Sequence, residues 1–288
     1  MKLRRTRRLP AVAGALAAGL VGVLMLSGTL TATASPAALT PVPTATEQGR
    51  PPGAAAKPTI VLVHGAFADA SGWHDVTRRL QKDDYTVIAT ANPLRSVSSD
   101  AAYLKSILDT IEGPVVLVGH SYGGFVMTNA AAGDPDVEAL VYIAAFAPAA
   151  GDTVQSLTAL NPGSGLADPA NLVVRPNGSG ADGYINPAVF RDVFAADVPR
   201  DVAEVMAASQ RPADLATLFE PSGTPAWATI PSWYVVASDD RTIPPATQRF
   251  MAERAGATTI EIRSSHVAMI SHPKQVADVI ETAAAAVS

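Results

Sequence analysis

One stretch limits what this chain can fold into more than any other: Pro114-Val-Val-Leu-Val-Gly-His-Ser-Tyr-Gly-Gly124. Pro114 to Val118 reads as a short buried strand, apolar and rich in Val. Gly119-His120-Ser121-Tyr122-Gly123 follows, a G-x-S-x-G pentapeptide, and then an apolar helical run from Phe125 to Ala132. A serine held on a very sharp strand-to-helix turn has crowded neighbours, so the residues two before and two after it must lack side chains. The turn lifts the Ser121 hydroxyl above the sheet edge and aims a helix N-terminus at whatever reacts there, which suits a developing negative charge. In a chain with 21 Gly the pentapeptide arises easily by chance; the strand before it and the helix after it give it meaning.

The flanking sequence supplies the sheet that such a turn needs. Pro58 to His64 reads as a buried strand ending in His64-Gly65-Ala66-Phe67, and an amphipathic helix follows from about Trp73 to Lys82. Tyr85 to Thr90 is a second strand, Ala102 to Ile111 a second helix, and Val137 to Ala145 a fourth strand after the Ser121 strand. Near the C-terminus come a strand Ser232 to Ala237, a helix Pro245 to Ala255 stopped by Gly256, a last strand Thr259 to Ile262, and an Ala-rich helix Pro273 to Val287. Strands alternating with helices imply a mostly parallel sheet with helices on both faces, and sites in such sheets form at the carboxyl ends of the strands. From about Ala149 to Thr229 the alternation stops. Asn161 to Gly165 and Asn177 to Gly180 are turn clusters, and Pro187 to Ala195, Val202 to Gln210 and Pro212 to Glu220 read as short helices. This is the pattern of an all-helical lid over residues 149–229.

The N-terminal segment is different in kind. Met1 to Arg8 carries five cations and no acid, an apolar run extends from Ala11 to Leu30, and Ala32-Thr33-Ala34 precedes Ser35. That order is expected of a secretory signal peptide over residues 1–34, followed by a Pro/Ala/Thr-rich linker over 35–57 and a folded domain over 58–288. Its removal takes the formal charge from -5 to -10. The mature protein is therefore expected outside the cell or in its envelope, without stable membrane association. No Lys/Arg-rich face occurs in the body, so nucleic acid is not an expected partner. The absence of Cys excludes disulfides, thiolate metal sites and a cysteine nucleophile.

A serine hydroxyl needs a neighbouring base, and the base needs a group that fixes its tautomer. The chain offers Ser121, then Asp240 after a later strand, then His266 after the last strand. Of the five histidines, His64 lies in the His-Gly turn and is expected to brace its backbone, and His120 should turn its ring away from the adjacent hydroxyl. His74 lies on a helix and His272 precedes Pro273; only His266 follows a strand in the right place. Asp239 is the fallback acid and Asp152 a more distant one. Two N–H donors for an oxyanion are expected from Tyr122 and Ala66. Phe67, Trp73 and Trp227 are candidates to line the substrate pocket, and Phe190, Phe194, Leu215, Leu218 and Phe219 are further apolar residues of the lid. Nothing in this chemistry calls for a metal or cofactor.

Val63-His64-Gly65-Ala66, Trp73, Leu117 to Gly124, Ala144 to Pro148, Asp240 and His266-Val-Ala-Met-Ile together resemble the α/β-hydrolase superfamily, whose order of Ser, Asp and His is the one found here. More narrowly they resemble the branch of methyl-ester esterases and hydroxynitrile lyases with its bacterial relatives. The resemblance runs from about Pro58 to the C-terminus and is weakest in the lid. It implies an α/β-hydrolase fold and a cofactor-free serine hydrolase acting on a small ester. The lyases of this branch carry a lysine after the histidine; Val267 stands there instead. Two other readings share the scaffold: a lyase or acyltransferase, and a non-catalytic small-molecule-binding protein, against which an intact triad argues.

Overall fold

The structure, a computed structural model, describes residues 57–287. The expected signal peptide and the linker up to residue 56 lie outside the described residues. The chain begins with β1 (Thr59–Val63), α1 (His74–Lys82), β2 (Val87–Thr90), α2 (Val97–Leu108), β3 (Val115–His120), α3 (Tyr122–Ala130) and β4 (Val137–Ile143). The lid segment then holds α4 (Val154–Thr158), β5 (Leu172–Pro176), β6 (Ala181–Ile185), α5 (Phe190–Phe194), α6 (Arg200–Ala208) and β7 (Ala213–Asp214). The chain closes with β8 (Ser232–Ala237), α7 (Pro245–Arg254), β9 (Thr258–Ile262), α8 (Ala268–Ser271) and α9 (Pro273–Ala286).

The main sheet runs β2-β1-β3-β4-β8-β9, with every pair parallel. This is the α/β-hydrolase fold. Its strands read as unbroken apolar runs because both faces are covered. Alternate residues serve opposite sides. Val61, Val115 and Leu117 pack with Leu104 and Leu108 of α2, Phe125 of α3 and Met251 of α7. Ile60, Leu62, Val116 and Val118 pack with Val76 and Leu80 of α1 and Val276 and Ile280 of α9.

Element boundaries follow local chemistry. Ser96 caps α2, its hydroxyl accepting from the Ser99 N–H at 3.2 Å, so this helix starts at Val97, five residues before the expected Ala102. Proline sits in the first turn of α7 and of α9, where its missing N–H costs nothing. Among the described residues no helix is long and apolar enough to cross a membrane.

The lid departs from the all-helical expectation. Its strands β5, β6 and β7 form a small antiparallel sheet. The Asn177–Gly180 cluster is the turn of a hairpin: the Asn177 side-chain oxygen accepts from the Gly180 N–H at 2.7 Å, and Gly178 has φ 90°. The apolar Leu172-Val173-Val174 run before an Asn-Gly turn is a hairpin signal that helical periodicity obscures.

Candidate active site

At the carboxyl end of β3 the backbone of Ser121 takes φ 53° and ψ -124°, a strained region for a side-chain-bearing residue. The fold holds it there by close packing. A Cβ on Gly119 would come 2.7 Å from the backbone of Gly124, and one on Gly123 would strike the Val63 carbonyl oxygen. Ser121 follows β3 directly and opens α3, whose first amide, that of Tyr122, donates to no other described residue. The Ala66 amide, in the turn after β1, is also without an acceptor.

His64 organises that turn. Its Nε2 accepts from the Asn92 N–H at 3.0 Å, so its Nδ1–H donates to the Gly65 carbonyl at 2.9 Å. The Gly65 carbonyl and the Ala66 N–H belong to one peptide plane and point in opposite directions. Fixing the carbonyl therefore aims the amide. Burial, reinforced by the charge of Arg211, lowers the pKa of His64 and keeps this arrangement neutral.

Asp240, just beyond β8, and His266, beyond β9, are both buried, with Asp240 Oδ2 2.7 Å from His266 Nδ1. Three further donors converge on the carboxylate: the amides of Thr242 at 2.7 Å and Ile243 at 3.1 Å, and Gln248 Nε2 at 2.7 Å. A buried carboxylate held by four donors is positioned and compensated at once. Asp239 instead faces outward to Arg263, and Asp152 pairs with Arg254 at 2.7 Å while accepting from the Ala149 amide. Neither reaches the histidine. His266 Nε2 is buried and makes no hydrogen bond within the described residues, to Ser121 or to any other.

His120 lies between elbow and base. Its Nε2 donates to the His266 carbonyl at 3.0 Å, and the two rings stand 4.7 Å apart. Burial, and then the proximity of His266, lowers the His120 pKa well below 6.5. Phe194 of the lid packs against both rings, its centroid 5.0 Å from that of His266 and 6.4 Å from that of His120, and so shields His266 from water. Three further polar side chains support the site without a signature in the sequence. Gln248 clamps Asp240, the Asn92 side chain donates to the His64 carbonyl at 3.0 Å and so holds the backbone N–H that meets the His64 ring, and the fully buried Asp100 accepts from the Tyr122 hydroxyl at 3.0 Å. Burial raises the pKa of Asp100, and together with that contact it raises the Tyr122 phenol.

A cavity of about 130 Å³ opens above Ser121. Ala66, Phe67, Tyr122 and Phe146 form its floor, and Leu166, Leu215 and Leu218 are among the lid residues that roof it. Its size is near that of the ~150 Å³ apolar cavity that takes up benzene. Trp73 and Trp227 do not line it, contrary to the sequence expectation. Trp73 is fully buried beneath the site with its ring edge-on to His120, as a large apolar side chain in a core would be. Trp227 donates from its indole to the Pro148 carbonyl at 2.7 Å and packs the lid's end onto the core. Phe190 is buried within the lid and Phe219 is exposed.

Residues 60–279 match the model of the alpha/beta hydrolase family. The chain is similar to the alpha/beta hydrolase nvfD of Aspergillus novofumigatus, 26% identical over 79% of this chain and 97% of that protein. It is similar also to methylesterase 8 of Arabidopsis thaliana, 26% identical over 68% of this chain and 78% of that protein. Among solved structures, polyneuridine aldehyde esterase superposes with a TM-score of 0.68 at 18% identity, covering 79% of this chain and 99% of the other.

Proposed function

The chain belongs to the alpha/beta hydrolase family, and from that premise we propose that it is a serine esterase that cleaves compact carboxylic esters through an acyl-enzyme on Ser121. The observation that carries this reading is the buried Asp240–His266 pair at 2.7 Å, with its free Nε2 on the histidine whose carbonyl is held by Ser121's own neighbour His120. Ser121 Oγ attacks the ester carbonyl while its proton passes to His266 Nε2. Asp240 holds the Nδ1 proton and stabilises the imidazolium that forms. The Ala66 and Tyr122 amides receive the oxyanion, in a site from which Phe194 and the lid exclude water. His266 then protonates the departing alcohol, and in the second half-reaction it takes a proton from water as that water attacks the acyl group.

The cavity supports an apolar acyl group no larger than about a benzene ring. No Lys or Arg lines it, and Asp214, which does, is already paired with Arg95, so an acyl group bearing a second carboxylate finds no counter-ion there and is disfavoured. A panel of p-nitrophenyl and methyl esters, run with and without added alcohol, tests the reading. Hydrolysis to free acid supports it. No turnover of any ester, or exclusive transfer to the alcohol, rejects it. Export is part of the proposal, supported by the order of basic, apolar and small residues over 1–34. The secreted protein should begin at or near Ser35 on N-terminal sequencing, whereas a chain starting at Met1 in the membrane fraction would contradict export.

A further inference from the structure

Phe67 stands between two cavities. Its side chain lines the larger one above Ser121 and also a smaller one of about 40 Å³, whose other walls include Asp69, Ser71, Met206, Val267 and Ile270. Several of those walls, Ser71, Met206 and Ile270 among them, also line an outer pocket between α6 and the turn Ala70–Trp73, so the smaller cavity leads toward solvent. Phe67 itself has φ 61°, a left-handed conformation that a side-chain-bearing residue adopts at a cost, and its ring meets Phe194 edge-on at 6.4 Å.

Reaction chemistry assigns a role to each side. The acyl carbon is bound by Ser121 and its oxygen by the Ala66 and Tyr122 amides, all three of which line the larger cavity. The leaving oxygen must take its proton from His266. Val267, the next residue, lines the smaller cavity; neither His266 nor Ser121 does, so the alcohol enters it past Phe67, the residue the two cavities share. Resting on the esterase reading above, we propose that the smaller cavity is the leaving-group subsite and the alcohol's way out. Phe67 is then the partition that limits the alcohol's size. At 10–15 Å³ for one water, the space suits an alcohol of one to about three carbons. Asp69, Ser71 and Ser209 give the exit a polar edge for the freed hydroxyl.

The test is a two-way ester matrix: one acyl group with methyl, butyl and benzyl alcohols, and methyl esters of acyl groups of increasing size. Phe67→Ala should raise kcat/KM for butyl and benzyl relative to methyl esters by roughly tenfold or more, the scale on which a pocket discriminates by size. Because Phe67 also floors the acyl cavity, Phe67→Ala is read on its alcohol ranking; the acyl ranking should stay as in wild type in Met206→Trp, whose side chain lines the smaller cavity and the outer pocket and not the larger one. Met206→Trp, which fills the smaller cavity, should shift the alcohol ranking the opposite way. Phe67→Leu and Met206→Trp carry the test if Phe67→Ala does not fold. A reordered acyl ranking with an unchanged alcohol ranking, or no change in either, overturns the assignment. If wild type cleaves no ester, or Ser121→Ala keeps its rate, the esterase reading fails and this inference with it. Ester cleavage that depends on Ser121 but shows an unmoved alcohol ranking sinks this inference alone.

Discussion

His120 Nε2 lies 3.0 Å from the carbonyl oxygen of His266, a contact that joins the elbow to the loop of the base across 146 residues of sequence. Because His120 directly precedes Ser121, this bond, together with the Asp240 contact at Nδ1, sets the position of the imidazole relative to the hydroxyl. Misplacement by 1 Å can cost about 10²-fold in rate. His120→Leu should therefore lower kcat about tenfold or more with KM little changed, and His120→Gln, which keeps a donor, should restore most of it. Equal losses in both variants, or a loss confined to KM, would show that the bond does not position His266.

Stability should fall on the acid side of neutrality. Burial lowers the pKa of His120 well below 6.5 and that of His64 also below it, while in the unfolded chain both take up protons near 6.5. The unfolded state then binds more protons, so stability from these groups is complete above pH 6.5 and is lost as pH falls toward the folded values. Each histidine adds a slope of up to about 1.4 kcal/mol per pH unit. Asp100, whose pKa burial raises, has the opposite sign: its contribution is present below 3.8 and lost as pH rises through the raised value. The informative comparison is thus between variants. Denaturant melts from pH 7.5 to 5 should show a shallower slope for His120→Gln than for wild type, and identical slopes would contradict a neutral buried His120.

Only one of two adjacent carboxylates reaches His266. Asp240→Asn should cost up to about 10⁴ in kcat, as expected when the histidine is held in the wrong tautomer. Asp239→Asn removes an exposed pair with Arg263 and should leave kcat within about twofold. Steady-state rates on one ester settle the ranking, and a larger effect at Asp239 would refute the assignment.

The lid separates residues that shape the cavity from residues that fasten it. Leu215→Ala and Leu218→Ala, at the roof, should reorder acyl groups by size. Trp227→Ala should lower the melting temperature through its lost packing and its bond to Pro148, and leave the ranking intact. Phe194→Ala, fully buried against His266, should lose about 3–5 kcal/mol. An acyl ranking moved by Trp227→Ala and not by the two leucines would place selectivity elsewhere.

The sheet and the ends of its strands are legible in the sequence because burial on both faces writes strands as continuous apolar runs, and because the elbow demands glycines at fixed offsets. Ser232–Ala237 begins and ends where its composition says it should. The lid is less legible. Its hairpin is short and partly exposed, and Asn177 to Gly180 looks the same in sequence whether it ends a loop or turns a strand. The supporting polar groups are less legible still. Gln248 and Asn92 act through contacts made only when distant segments meet, and Asp100, at a helix start, resembles any residue of a first turn. Aromatic residues misled for a related reason: Trp73 and Trp227 have the composition of pocket walls, but Trp73 is buried in the core and Trp227 packs half-buried against it, held by its bond to Pro148.

The central claim is that Ser121 forms the covalent bond, and the most direct measurement is the paired reaction of wild type and Ser121→Ala with a phosphonate probe and a p-nitrophenyl ester. Wild type should gain one phosphonyl group, located on Ser121 by peptide mass, and lose its activity in proportion. Ser121→Ala should take up none and retain at most a residual rate of about 10³–10⁴ over water, from the oxyanion amides and binding alone. A Ser121→Ala variant that hydrolyses the ester near the wild-type rate, or a label found on another residue, would contradict the account.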